Sequence, residues 1–140
     1  MKPNVTIEET RGVYIVRISG ALALGEATAQ FRQVRSRLLH GQPANILLDM
    51  AGVKHIDSAG IGELVAAHEA AARAGGEMKL LHLGRRVHEV IEITRLYAVF
   101  EAFEDELVAL KSFPTHPPTD FEMRWSRFMN KLLTDGRVSE

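Results

Sequence analysis

Short apolar segments alternate with amphipathic helical patterns along most of this chain, and this alternation limits the possible fold more than any other feature. The run Ile46–Leu48 follows Pro43 and is apolar at every position, as in a central strand covered on both faces. It is predicted to close at Asp49. A helical pattern then runs from Ser58 to Gly75, and Met78–Leu83 is a second short buried strand. Short connections between such units predict an α/β domain whose later strands are parallel.

The segments on either side extend this prediction. Two alternating stretches, Val5–Ile7 and Val13–Ser19, are separated by the turn residues Thr10, Arg11 and Gly12, which predicts a hairpin at one edge of the sheet. The remaining predicted elements are, in chain order, a helix from Gly25 to His40, a helix from Arg85 to Leu96, a strand at Val99–Phe100 and a short helix through Leu107, Val108 and Leu110.

Length, charge and cysteine content exclude several classes of function. A chain of 140 residues is enough for one core. Its 17 basic and 18 acidic residues leave no positive excess for binding nucleic acid. The absence of cysteine excludes disulfides, thiolate metal sites and cysteine nucleophiles. With neither a signal-peptide pattern nor an apolar run of about 20 residues, the expected location is the cytoplasm.

The compact pattern is predicted to end near Ser112. The expected organisation is a domain over residues 1–111, a proline-rich linker over 112–120, and an amphipathic helix and tail over 121–140. The apolar stripe of that helix consists of Phe121, Trp125, Phe128, Met129, Leu132 and Leu133. So short a helix is marginal in water by itself. We expect it to pack on its own domain, on a second copy to form a homodimer, or on a partner helix.

The segment Asp57–Gly62 is the most informative part of the sequence. Asp57 and Ser58 stand where the helix starts, and both residue types cap helix N-termini. Ser58 could therefore be only a cap. Gly60 and Gly62 are harder to explain, because each glycine costs a helix interior about 1 kcal/mol relative to alanine. They suggest a backbone left bare for the close approach of a partner or ligand.

The pattern Asp49-x-x-x-Val53-x-x-Ile56-Asp57-Ser58-Ala59-Gly60-Ile61-Gly62-x-Leu64 resembles the signature of the STAS domain. Bacterial anti-sigma factor antagonists and the cytoplasmic portions of sulfate transporters share this domain. The resemblance covers roughly residues 5 to 111 and includes Gly20. It implies a mixed, mainly parallel sheet with an N-terminal hairpin at its edge and helices packed on it. The resemblance continues in Val87-x-x-Val90-Ile91-Glu92-Ile93-Thr94-x-Leu96-x-x-x-Phe100, and Arg95 departs from this later part, where the family often has a small residue.

The resemblance also implies a function. In family antagonists, the serine matching Ser58 is phosphorylated by an ATP-dependent, histidine-kinase-like serine kinase that is itself the anti-sigma factor. The unphosphorylated antagonist binds this kinase and releases the sigma factor, and a serine phosphatase restores that form. The implied partner-binding residues here are Asp49, Asp57, Ser58, Ala59, Gly60, Ile61 and Gly62. Asp49 would support the site from the strand end, and Gly60 and Gly62 would keep the first helical turn open to the kinase.

We therefore predict a non-enzymatic, phosphorylation-controlled partner switch in transcription regulation, without cofactor or metal. The alternative is a constitutive STAS docking subunit of a signalling or lipid-transport complex. A dinucleotide site is disfavoured, because Val65 stands where the third glycine of that fingerprint belongs. The frame around Ser58 lacks the Gly-x-Ser-x-Gly of a serine hydrolase. His88 and Glu92 are better explained as a solvated helix pair than as metal ligands.

Overall fold

The computed structural model describes residues 4–22, 26–40 and 43–114, together with residues 128 and 131. The strands are β1 (Asn4–Thr10), β2 (Val13–Leu22), β3 (Asn45–Ile56), β4 (Met78–Leu81) and β5 (Ala102–Phe103). The helices are α1 (Glu26–Leu38), α2 (Ser58–Arg73), α3 (Arg85–Ile93) and α4 (Glu106–Lys111), and a 3-10 turn spans Leu96–Ala98.

The five strands form one mixed sheet in the order β1-β2-β3-β4-β5. β1 pairs antiparallel with β2, and every later neighbouring pair is parallel. The turn between β1 and β2 places Arg11 and Gly12 at φ 54° and 77°, which is the left-handed backbone that a tight hairpin requires. The predicted α/β class, the mainly parallel sheet and the edge hairpin are confirmed.

Two hydrophobic clusters lie on opposite faces of the sheet. The larger one joins α1, α2 and α3 to one face through residues such as Phe31, Leu64 and Val87. The smaller one joins α4 to the other face through Val13, Ile15, Leu47, Leu81, Ala109, Leu110 and Phe113. Ile46, Leu47 and Leu48 are all 0% exposed between them. The prediction of a central strand covered on both faces is therefore confirmed.

β3 is longer than the sequence predicted. The expected end at Asp49 is wrong, because the strand continues to Ile56. Its register with β2 shifts between Arg17 and Ser19 and again between Gly20 and Ala21. Such bulges insert extra residues into a strand and turn the following side chains. Met50, Val53 and Ile56 are consequently all buried although they are three residues apart.

The return to the last strand also differs from the prediction. α3 ends at Ile93 instead of Leu96, and Arg95 takes a left-handed φ of 61° before the 3-10 turn. The predicted strand at Val99–Phe100 is wrong, since β5 comprises Ala102 and Phe103.

The chain after α4 is held against the sheet face that carries the smaller cluster. Lys79 Nζ of β4 donates to both the carbonyl and the hydroxyl oxygen of Ser112, each at 3.0 Å. The same ammonium lies 4.8 Å from the centre of the Phe113 ring, which is buried. Ser112 and Phe113, assigned by sequence to the linker, thus contact the sheet.

Most of the predicted C-terminal helix, and with it the predicted homodimer, lies outside the described residues. Phe128 and Lys131 are helical and exposed. No helix in the described ranges is long and apolar enough to cross a membrane.

Candidate functional site

Asp57 and Ser58, at the N-terminus of α2, have different roles. Asp57 is the N-cap, with extended backbone, and its Oδ1 accepts from the backbone N–H of Gly60 at 3.0 Å. Ser58 is the first residue of the helix, and it is exposed. The interpretation of Ser58 as the cap is therefore wrong, because Asp57 provides the capping oxygen.

Gly60 fixes this helix start to the sheet. A Cβ at Gly60 would overlap the carbonyl oxygen of Leu22, the last residue of β2. That carbonyl also accepts from the backbone N–H of Asp57 at 3.3 Å. The bare side of Gly60 is thus occupied by the chain's own backbone, so close packing within the fold explains this glycine.

Gly62 differs from Gly60 in its surroundings. It is exposed, and a Cβ built there would have nothing within 4 Å. Ala59 and Ile61 are half-buried, and Ile61 packs against the larger cluster. The surface next to Ser58 therefore includes the small residues Ala59 and Gly62, which a partner can approach closely.

Asp49 lies away from this surface. It is 7% exposed, and its Oδ2 accepts from Arg17 Nη1 at 2.6 Å while its Oδ1 accepts from the N–H of Ala51 at 3.0 Å. It precedes the end of β3 by seven residues, or roughly 20 Å of strand. The expectation that Asp49 supports the site from the strand end is wrong, since the strand does not end there.

Arg17 links Asp49 to two other elements. It contacts Glu8 of β1, and its Nη1 donates to Glu106 Oε1 of α4 at 3.0 Å. These hydrogen bonds, above all the one to Glu106, raise the pKa of Arg17, against the opposing effect of burial. Arg17 therefore stays charged wherever the protein is folded, and the network joins β1, β2, β3 and α4.

Sequence reasoning missed a cluster of ion pairs around a buried carboxylate beside the site. Glu63 of α2 is 6% exposed and accepts from Arg32 Nε at 3.1 Å and from Arg35 Nε at 2.6 Å. Both arginines belong to α1. The spacing of the two arginines could have indicated this cluster, since residues three apart on a helix share a face and can donate to one carboxylate.

Basic side chains surround the edge of the sheet that carries Ser58. The carboxyl ends of parallel strands and the N-termini of the following helices meet at one edge. Lys54 and His55 near the end of β3 are exposed there, as are Arg85 and Arg86 at the start of α3. An added anion at Ser58 would lie at a helix N-terminus, which stabilises it, and next to the Asp57 carboxylate, which opposes it.

The described residues include no group of three histidine, aspartate, glutamate or cysteine side chains able to hold a metal ion. His88 Nε2 and Glu92 Oε1 are 3.5 Å apart, and both side chains are more than half exposed.

The fold and this helix start define the class of protein. The family model of the STAS domain matches residues 4–109, and the chain belongs to that family. The resemblance seen in the sequence is thereby confirmed.

Individual relatives match about four fifths of this chain and nearly all of their own length. The anti-sigma F factor antagonist of Paenibacillus polymyxa is 26% identical over 110 residues, which are 79% of this chain and 94% of that protein. The crystal structure of an anti-sigma factor antagonist from Mycobacterium paratuberculosis superposes with a TM-score of 0.68 at 22% identity, covering 80% of this chain and 94% of that one. The phosphorylated form of the Bacillus cell fate determinant SpoIIAA gives a TM-score of 0.61 at 20% identity, covering 77% and 98%.

Proposed function

We propose that this protein is an anti-sigma factor antagonist that acts in the cytoplasm as a phosphorylation-controlled partner switch, with Ser58 as the phosphoacceptor. Its unphosphorylated form binds an anti-sigma factor serine kinase, a histidine-kinase-like ATPase, and so releases the sigma factor. A serine phosphatase restores the binding form. The protein itself is a binding protein and not an enzyme. Its similarity to the Paenibacillus polymyxa antagonist supports this proposal.

The position of Ser58 is the observation that carries the proposal. Ser58 is exposed in the first turn of α2, and Asp57 already provides the cap. A kinase can therefore modify the hydroxyl without removing a bond on which the helix depends. The helix N-terminus and its dipole accommodate the phosphate once it is attached. The similarity in fold to the phosphorylated form of SpoIIAA agrees with a fold that tolerates the modification.

The switch works through a change of surface. A phosphate adds about −1.5 to −2 charges and three acceptor oxygens beside the small-residue surface at Ala59 and Gly62. A partner that packs closely on this surface loses its fit and meets a new negative charge. Because Gly60 and the Asp57 amide fix the helix start to Leu22, the fold itself does not have to change.

Affinity capture from a lysate of the source organism tests the proposal. We expect wild type and Ser58→Ala to retain a histidine-kinase-like ATPase, and Ser58→Asp to lose most of it. The matched control is Ser36→Asp, which places the same charge on an exposed serine of α1 and should bind as wild type does. Incubation of the captured kinase with ATP should then phosphorylate wild type but not Ser58→Ala.

Two outcomes would contradict the proposal. If Ser58→Asp and wild type retain the same partner equally, the site is a fixed docking surface. If Ser36→Asp loses the partner as completely as Ser58→Asp does, the effect is one of general charge and Ser58 has no special role.

A further inference from the structure

A pocket of about 260 Å³ lies between α3, the 3-10 turn and the β4–β5 edge of the sheet. Leu80, Ile91 and Phe100 form its apolar floor, and Tyr97, His88 and Glu92 stand at its mouth. None of these residues belongs to the proposed partner surface around Ser58. The pocket is therefore a separate feature of the domain.

The local backbone explains why this pocket stays open. β5 has only two residues, and the left-handed Arg95 turns the chain away after α3. Tyr97 is consequently 61% exposed, whereas Phe100 returns to the core and is 4% exposed. The ring of Phe100 packs edge-to-face on His68 of α2, with ring centres 5.4 Å apart. The floor is thus fixed by contacts to α2 and cannot easily move to fill the space.

The lining specifies the chemistry of a ligand. An apolar cavity of about 150 Å³ is enough to bind benzene, so a pocket of about 260 Å³ has room for a small aromatic group. A pocket with an apolar floor gains by exchanging water for an apolar ring. The mouth carries the Glu92 carboxylate, 3.5 Å from His88 Nε2. A ring that fills the pocket would therefore gain from carrying a positive charge at its outer end.

The geometry points to a binding site for a small arylalkylamine, with its aromatic ring on Leu80, Ile91 and Phe100 and its ammonium group at Glu92. This inference does not depend on the proposed switch.

A titration followed through the backbone amide signals in NMR tests the site on the full chain. The probes are tryptamine and indole-3-acetate, which share a ring and differ in charge. We expect the amides of Ile91, Tyr97 and Ala102 to shift with both, and tryptamine to bind about threefold more tightly, as an exposed ion pair allows.

Three variants separate the parts of the proposal. Ala102→Phe places a ring in the pocket from the edge strand and should weaken tryptamine about tenfold. Its control, Ala98→Phe, makes the same change at an exposed alanine of the 3-10 turn and should leave binding unchanged. Glu92→Gln should remove the preference for tryptamine and leave indole-3-acetate at its wild-type affinity or slightly above it.

The amide spectra also show whether each variant is folded, and an unfolded Ala102→Phe would leave the Glu92→Gln comparison to decide. The site is refuted if neither probe shifts these amides at millimolar concentration, if the shifts map elsewhere, or if folded Ala102→Phe binds as wild type does. Equal affinity of wild type for the two probes would refute the assignment to an amine.

Discussion

The two glycines in the first turns of α2 have opposite surroundings. Gly60 is pressed against the carbonyl of Leu22, whereas Gly62 faces open space. From the sequence, both glycines are unusual in a helix, but it cannot be told which one is required by packing and which one is exposed. The contact between Gly60 and Leu22 joins residues 38 positions apart in the chain, and local pattern carries no information on it.

Replacing each glycine by alanine turns this difference into a prediction. Gly60→Ala should lower the free energy of unfolding by at least about 3 kcal/mol, because its methyl group would overlap the backbone of β2. Gly62→Ala should raise it by up to about 1 kcal/mol, because alanine is the better helix former and nothing obstructs the methyl group. Urea unfolding of the two variants measures both. Equal changes in the free energy of unfolding would mean that α2 does not pack closely against the backbone of Leu22.

The capping role of Asp57 makes a second prediction at this scale. Asp57→Ala should cost about 1 kcal/mol of stability, through loss of the acceptor for the Gly60 amide. Asp57→Asn keeps an acceptor and should cost less. Ser58→Ala should stay within about 0.5 kcal/mol of wild type. Thermal unfolding monitored by circular dichroism distinguishes the three, and a larger loss from Ser58→Ala than from Asp57→Ala would reverse the assignment of the cap.

Among the elements, those with regular periodicity could be predicted and those with irregular backbone could not. The amphipathic stripes of α1 and α2 and the apolar run of β3 appear directly in the sequence. The second half of β3 could not be predicted, because bulges place Met50, Val53 and Ile56 on one face at a spacing that matches no regular strand. The left-handed backbone of Arg95 likewise has no periodicity that marks it, so the sequence predicts a longer helix and a strand where the structure has a 3-10 turn.

The pair of helices α1 and α2 depends on Glu63. Glu63→Ala should destabilise the protein by about 2 kcal/mol, because it leaves Arg35 without a partner in a half-buried position. Arg32→Ala should cost less than about 1 kcal/mol, since Arg32 is largely exposed. A double-mutant cycle between Glu63 and Arg35, measured by urea unfolding, gives the coupling energy directly. A coupling energy near zero would show that packing alone joins the two helices.

At the scale of the whole molecule, the sequence beyond Pro114 makes a prediction of its own. Its stripe of six large apolar side chains is a liability in water unless it is covered. Removing residues 115–140 should therefore convert a dimer to a monomer if the stripe joins two copies, or lower the melting temperature if it packs on its own domain. The cut belongs after Pro114, because Phe113 is buried and contacts Lys79.

Light scattering and thermal unfolding of the truncated protein measure these changes. A shorter variant ending at Ser112 is the control, and it should lose stability in either case because it lacks Phe113. If truncation after Pro114 leaves the number of copies per particle, the solubility and the melting temperature unchanged, packing in cis and dimerisation are both excluded.

The seating of α2 on the last residue of β2 also bears on how fast such a protein can respond. A helix start anchored by the Asp57 amide and by the bare side of Gly60 has no slow rearrangement to complete after its serine is modified. Under the proposed function, the response time is then set by diffusion, by the turnover of the modifying enzymes and by how quickly a bound partner leaves. Encounter rates between oppositely charged surfaces fall as salt rises. The ionic strength of the cell would thus change the encounter step for a partner of opposite charge, while the fold remains constant.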